Sequence, residues 1–235
     1  MQTSRSALVP LLLAILCPAA FLFPGVARAV RTQKTHTVVL GAVRRVAYTP
    51  PEATAETKAD DSTSLRVRPL MVDDRQREWT VGPIHEVTDR TFVVQRALRL
   101  NDALPREAVR LSWQPGPWLM VDRTTGHITA LHLPDFDPQV SVAVWFRDYA
   151  AYCGIATTAK GGLMAVVAEL GARKAVVQKK MGAWPQAQAA HPVCAEATWQ
   201  RTPMRATIEQ TGGQPMTFDV VGTSSLVEEG ESSDE

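Results

Sequence analysis

Between Val140 and Met181 the apolar and polar positions recur with a period near two, in the densest apolar stretch after the first 29 residues. Val140, Val142, Val144 and Phe146 alternate with Ser141, Ala143, Trp145 and Arg147, as on a half-buried strand. Arg147-Asp148 interrupts the run, and Tyr149–Ile155 resumes it. Thr157–Gly162 is a polar loop ending in glycine. Leu163–Leu170 and Lys174–Lys179 then flank Gly171-Ala172-Arg173, a short connection of the hairpin kind. The pattern predicts a meander of three or four antiparallel strands. Tyr149–Tyr152 and Met164–Leu170 are rich in Ala and admit a helix, but the β-branched residues and terminal glycines favour strands.

The same reading extends along the chain. Thr35–Tyr48 predicts one or two strands, and residues 50–64, almost without apolar side chains, a mobile linker. Leu65–Val72 alternates apolar with basic residues, and Pro69 assigns it to a sheet edge. Asp73-Asp74-Arg75 is a turn, Thr80–Val87 a short irregular piece, and Thr91–Leu100 a strand. Arg110–Trp113 and Trp118–Asp122 read as separate strands around a Gln114-Pro115-Gly116-Pro117 loop. Trp118–Asp122 and His127–Leu133 pair across Arg123–Gly126, and Pro134–Pro138 leads into the meander. Residues 182–192 form a loop, and Thr198–Glu209 and Met216–Val221 a last hairpin around Gly212-Gly213.

The expected class is therefore all-β: antiparallel meander and hairpins forming a twisted sheet, a sandwich or a partly open barrel. Trp113 and Trp145, 32 positions apart, each precede a hairpin in the manner of a propeller blade. Propellers need several copies at periods of about 40–50 residues, so blades are the minor alternative.

The first 29 residues read as a signal peptide. Arg5 supplies the basic start, Ala7–Phe23 the apolar core and Ala27-Arg28-Ala29 the small-x-small exit. Leu16 before Cys17 does not fit a lipoprotein signal. The expected organisation is signal peptide 1–29, N-terminal strand(s) and polar linker 30–64, β-rich domain 65–225 and disordered acidic tail 226–235. No later apolar run approaches the roughly 18 residues of a membrane span. Without Arg5, Arg28 and the five acids of the tail, residues 30–225 hold 23 basic and 19 acidic side chains. That mild, dispersed excess does not point to nucleic acid.

Charge and cysteine usage narrow the chemistry. Loss of Cys17 with the leader leaves Cys153 and Cys194, which an oxidising compartment would join. A thiol nucleophile at Cys153 is disfavoured for the same reason. Five histidines, His36, His85, His127, His132 and His191, include no HExxH, and no CxxC pair accompanies them. On one strand, His127 and His132 would face opposite ways. Asp135 and Asp137, between prolines, read as turn formers rather than a cation site. Neither a GxSxG elbow nor a phosphate loop is present. No metal, cofactor or catalytic residue is expected. Trp113 and Trp118 bracket the Gln-Pro-Gly-Pro segment and are the candidate binding residues, as a stacking surface for sugars or extended peptides; the alternative is a role in the core.

Val87–Pro105 (VTDRTFVVQRALRLNDALP) and Trp145–Gly154 (WFRDYAAYCG) resemble segments of exported bacterial proteins that have no assigned activity. The resemblance spans roughly residues 35–182 and implies an envelope location, with no activity implied. The expected function is an exported, non-catalytic β-domain, periplasmic or secreted. It would have a binding or structural role toward an envelope protein or polysaccharide. The alternative is an envelope hydrolase assembled from dispersed Asp, Glu and His, for example Asp122, His127 and Asp148.

Overall fold

The computed structural model describes residues 35–48, 64–101, 103–156, 161–182 and 194–221. The expected signal peptide and acidic tail lie outside the described residues, as does the linker apart from Ser64, which opens a strand. His191 and Trp184 also lie outside them.

The chain is all-β, and the strands of the described residues are arranged in three sheets. The first holds β1 (Val38–Leu40), β2 (Arg44–Ala47), β3 (Ser64–Val72), β4 (Arg75–Glu86), β5 (Thr91–Asn101), β6 (Leu111–Asp122) and β7 (Ile128–Ala130). Its order is β1-β3-β4-β5-β6-β7, with β2 also beside β3. The second holds β8 (Val144–Phe146), β9 (Tyr149–Ala156), β10 (Gly162–Glu169) and β11 (Val177–Gly182), in the order β11-β10-β9-β8. The third is β12 (Thr198–Gln200), β13 (Arg205–Ile208) and β14 (Met216–Asp219), in chain order. Every ladder is antiparallel.

The four-stranded sheet is the middle layer. One face of β9 sends Tyr149, Ala151 and Cys153 into a core with Ala206, Ile208 and Val220 of the third sheet region. The other sends Ala150 and Tyr152 against Val93 and Trp118 of the first sheet. Burial on both faces turns alternation into a continuous apolar run, as in Tyr149–Gly154. It also explains the alanines, whose small side chains let two further layers approach.

The first sheet curls but does not close. His36 N donates to Thr124 O (3.0 Å), and Tyr48 forms an isolated parallel bridge with Trp113. Among the described residues no ladder joins β1 or β2 to β7. Leu70, Phe92, Val94, Leu119 and Val121 form a core of their own on one face.

Several expectations need correction. β3 is not an edge strand: β4 flanks it on one side, β1 and β2 on the other. Pro69 is tolerated because it faces the break between β1 and β2, where its carbonyl accepts from Gly41 N (2.8 Å). A Cβ on Gly41 would stand 2.6 Å from the Pro69 ring, so glycine permits that close approach. Residues 80–87 are not irregular, since β4 runs through to Glu86 and absorbs Gly82-Pro83 at a register shift. Gln114–Pro117 is not a loop: β6 continues through it, with a bulge opposite Gln95 and Ala97. Gln95 Nε2 donates to the Gly116 carbonyl there (3.1 Å). The alternating Val140–Ala143 lies outside the strands. Val140 N and Ser141 N bond Asp137 O, and Ser141 Oγ accepts from Cys153 N. Thr198–Glu209 is two strands, β12 and β13, separated by a turn with a cis Thr202-Pro203 bond.

Candidate functional site

The β6 bulge forms one wall of a 560 Å³ groove. Residues 131–139, between β7 and β8, form the other. Leu98, Trp118 and Leu133 supply apolar lining, while Gln114, His132 and Gln139 bring hydrogen-bonding groups.

The middle sheet holds the second wall in place. Tyr152 Oη donates to Pro134 O (2.7 Å), and its ring meets Phe136 edge-on at 5.2 Å. Ile155 N donates to Asp135 O (2.7 Å). A Cβ on Gly154 would lie 3.0 Å from both the Asp135 carbonyl and its Cβ, so glycine leaves room for this wall. Asp135 has a positive φ of 56°, and Gln178 Nε2 donates to its Oδ2 (2.5 Å). Asp137 Oδ1 accepts from Gln139 N (2.9 Å). Burial pushes the Tyr152 phenol far above its ordinary range, with Asp135 adding to the shift. The Asp137 carboxylate thus fastens its own turn, while that of Asp135 ties the segment to β11. Among the described residues no three His, Cys, Asp or Glu side chains stand close enough to share a metal ion.

The two candidate tryptophans part company. Trp118 is 6% exposed and packs edge-on against Trp145 at 5.4 Å, between the first and middle sheets. It offers no stacking surface. Trp113 is half-buried and meets Trp79 edge-on at 5.4 Å. Arg99 lies 5.9 Å over Trp113, and Arg44 5.7 Å over Trp79, making a row Arg44–Trp79–Trp113–Arg99. Although 113 and 118 differ by an odd number, the β6 bulge inserts a residue between them. Sequence parity therefore assigns the wrong faces here.

Cys153 and Cys194 stand at disulfide bonding distance, with Cα atoms 6.3 Å apart. The trio of the hydrolase alternative is not gathered into one hydrogen-bonded set. Asp122 accepts from Arg90 Nε (2.8 Å) and from the backbone of Thr124 and Thr125. Asp148 lies in the turn between β8 and β9, fully buried, and neither carboxylate oxygen has a hydrogen-bond partner among the described residues. Such a group is costly to bury. Having no exposed surface and no place in the groove lining, it does not reach a groove-bound molecule. His85 Nε2 donates to Arg147 O beside it (2.7 Å), and the His85 ring stacks on Trp145 at 6.1 Å.

Sequence reasoning missed the groove, because its walls come from one sheet and a segment read only as a lead-in. The Pro-Gly-Pro run was the available signal, and it marked a bulge instead of a loop. No family model, curated protein or solved structure matches the chain.

Proposed function

We propose that the chain is an exported, non-catalytic β-domain of the cell envelope, and that its groove binds an extended stretch of envelope polysaccharide. One observation carries the reading: the groove combines an apolar lining with hydrogen-bonding groups, while its two aspartates already accept hydrogen bonds from the Gln178 side chain and the Gln139 backbone. The cysteine pair at bonding distance fits an oxidising compartment. Among the described residues no helix is long and apolar enough to cross a membrane.

The test is co-sedimentation of the purified protein with isolated envelope polysaccharide, with reducing ends assayed in the supernatant. Retention without released ends is the expected result, and Gln114→Ala or His132→Ala should weaken retention up to about tenfold. Released ends that depend on Asp135 would establish the hydrolase instead. Retention on an envelope protein but not on polysaccharide would move the ligand to the protein class.

A further inference from the structure

A second concavity lies at the corner formed by β2, β3 and β4, and shares no lining residue with the groove. Arg45 and Arg66 are direct cross-strand partners of β2 and β3. Arg68 follows two positions on and so shares the face of Arg66. With Val43, Gly82 and Pro83 these arginines line an open hollow of 560 Å³.

Like charges set directly opposite on a ladder destabilise it. No carboxylate among the described residues lines this hollow to offset them. Arg68 commits one donor, from Nη2 to Gly82 O (3.1 Å). Gly82 takes a φ of 76° at the β4 register shift, and nothing stands within 4 Å of the position a Cβ would occupy. The hollow is therefore open at backbone level and lined by three arginines, whose planar forks suit tetrahedral oxyanions.

We propose that this hollow is an anion site for a phosphate monoester group, free or carried on a larger molecule. Three cations suit a group bearing roughly two negative charges better than a lone carboxylate. The site is independent of the polysaccharide reading, because it uses none of the groove's residues.

Thermal unfolding in phosphate-free buffer, with inorganic phosphate titrated against ionic-strength-matched chloride, tests the site. A ligand that binds only the folded state raises the midpoint, so phosphate should raise it beyond chloride. Arg45→Thr/Arg66→Thr should start from a higher midpoint, since repulsion is relieved and Thr suits a strand, and should lose the phosphate response. Arg66→Gln, closer in length, serves if the double variant does not fold, and should weaken the response about tenfold. Gln114→Ala should leave it intact, which separates this site from the groove. A parallel arm measures co-sedimentation with phosphatidylcholine vesicles with and without phosphatidic acid. Retention that needs phosphatidic acid and is lost in the arginine variant makes the ester lipid-borne. A phosphate response without such retention makes the ligand soluble. No response in either arm, or a response equal in the arginine variants, overturns the proposal.

Discussion

The β9–β10 pair and the β3–β4 pair are both long antiparallel ladders, yet they present their burial in different ways. Residues Tyr149–Ala156 and Gly162–Glu169 match residue for residue through eight pairs without a slip, and nearly every position is buried. On β3, burial passes from Val67 to Leu70, three positions along, so the buried side changes face around Pro69. The β3–β4 register also shifts beside Leu70, and the β4–β5 register shifts near Gly82. A strand covered on both sides writes a continuous apolar run into the sequence. A strand that changes its buried face writes a broken one, filled with arginines where the open face lies. The same folding force is legible in the first case and concealed in the second.

The largest effect that can challenge this contrast lies within β6. Trp118, wedged between the first and middle sheets, should cost about 3–5 kcal/mol as Trp118→Ala. Trp113→Ala gives up an edge-on ring contact and one overlying arginine, about 1–2 kcal/mol. Urea unfolding midpoints of the two variants measure the gap. Equal losses would mean that the outer row is as much core as the inter-sheet layer.

The Cys153–Cys194 pair ties the middle layer to the segment entering β12. Its loop spans 41 positions, and chain entropy sets an upper expectation of about 4 kcal/mol for the constraint. Cys194→Ser should lower the unfolding midpoint accordingly, and hydrogen exchange should quicken in β12–β14 before β9 or β10. Simultaneous exchange in all three sheets would show that the middle layer is not the more stable unit.

Double-sided burial makes a third demand, on size. Ala165 is fully buried and packs beside Leu163 and Val167 toward the third sheet. Ala165→Leu should overpack that layer and cost about 1–3 kcal/mol, read as a fall in the thermal midpoint. A tolerated leucine would mean that the layers separate freely, and that the alanines of β9 and β10 do not mark close approach.

Legibility follows the same division. Tyr149–Ile155 and Leu163–Leu170 are readable as strands because burial there is nearly uniform. Val140–Phe146 has the alternation of a strand, yet only Val144–Phe146 pairs, because Asp137 and Cys194 engage the backbone of the residues before it. Pro69 and Pro115–Pro117 mislead for one reason: a proline signals a missing donor, and sequence does not say whether a strand break or bulge already leaves that donor without a task. The groove was hidden because the residues that fasten it, Tyr152, Gly154 and Gln178, are remote in sequence from the wall they hold. The cysteine pair was readable because an expected leader containing Cys17 leaves two candidates, Cys153 and Cys194.

The smallest expected effect is local and depends on pH. Asp122 ends β6, where Arg90 and the Thr124 and Thr125 amides bond its carboxylate. The Arg90 hydrogen bond is the chief cause that holds its pKa down to about 2, against an ordinary 3.8. A carboxylate depressed in the folded state adds stability that is complete above its unfolded pKa. That stability fades as pH falls through the folded value, so the window runs from about pH 4 to about pH 2. Glu86, held below the usual range chiefly by its hydrogen bond to Arg123, responds in the same direction. Both groups are partly open to solvent, so salt should shrink the effect. On acidification the Thr124 and Thr125 amide resonances should shift first, and the Thr124–His36 link should loosen with them. Arg90→Gln should move that transition to higher pH. The amides of Ala165 and Val166, inside the middle sheet, should stay in place through the same window. If they move together with Thr124, the turn and the middle layer respond as one unit, and the distinction between the two sheets fails at its most sensitive point.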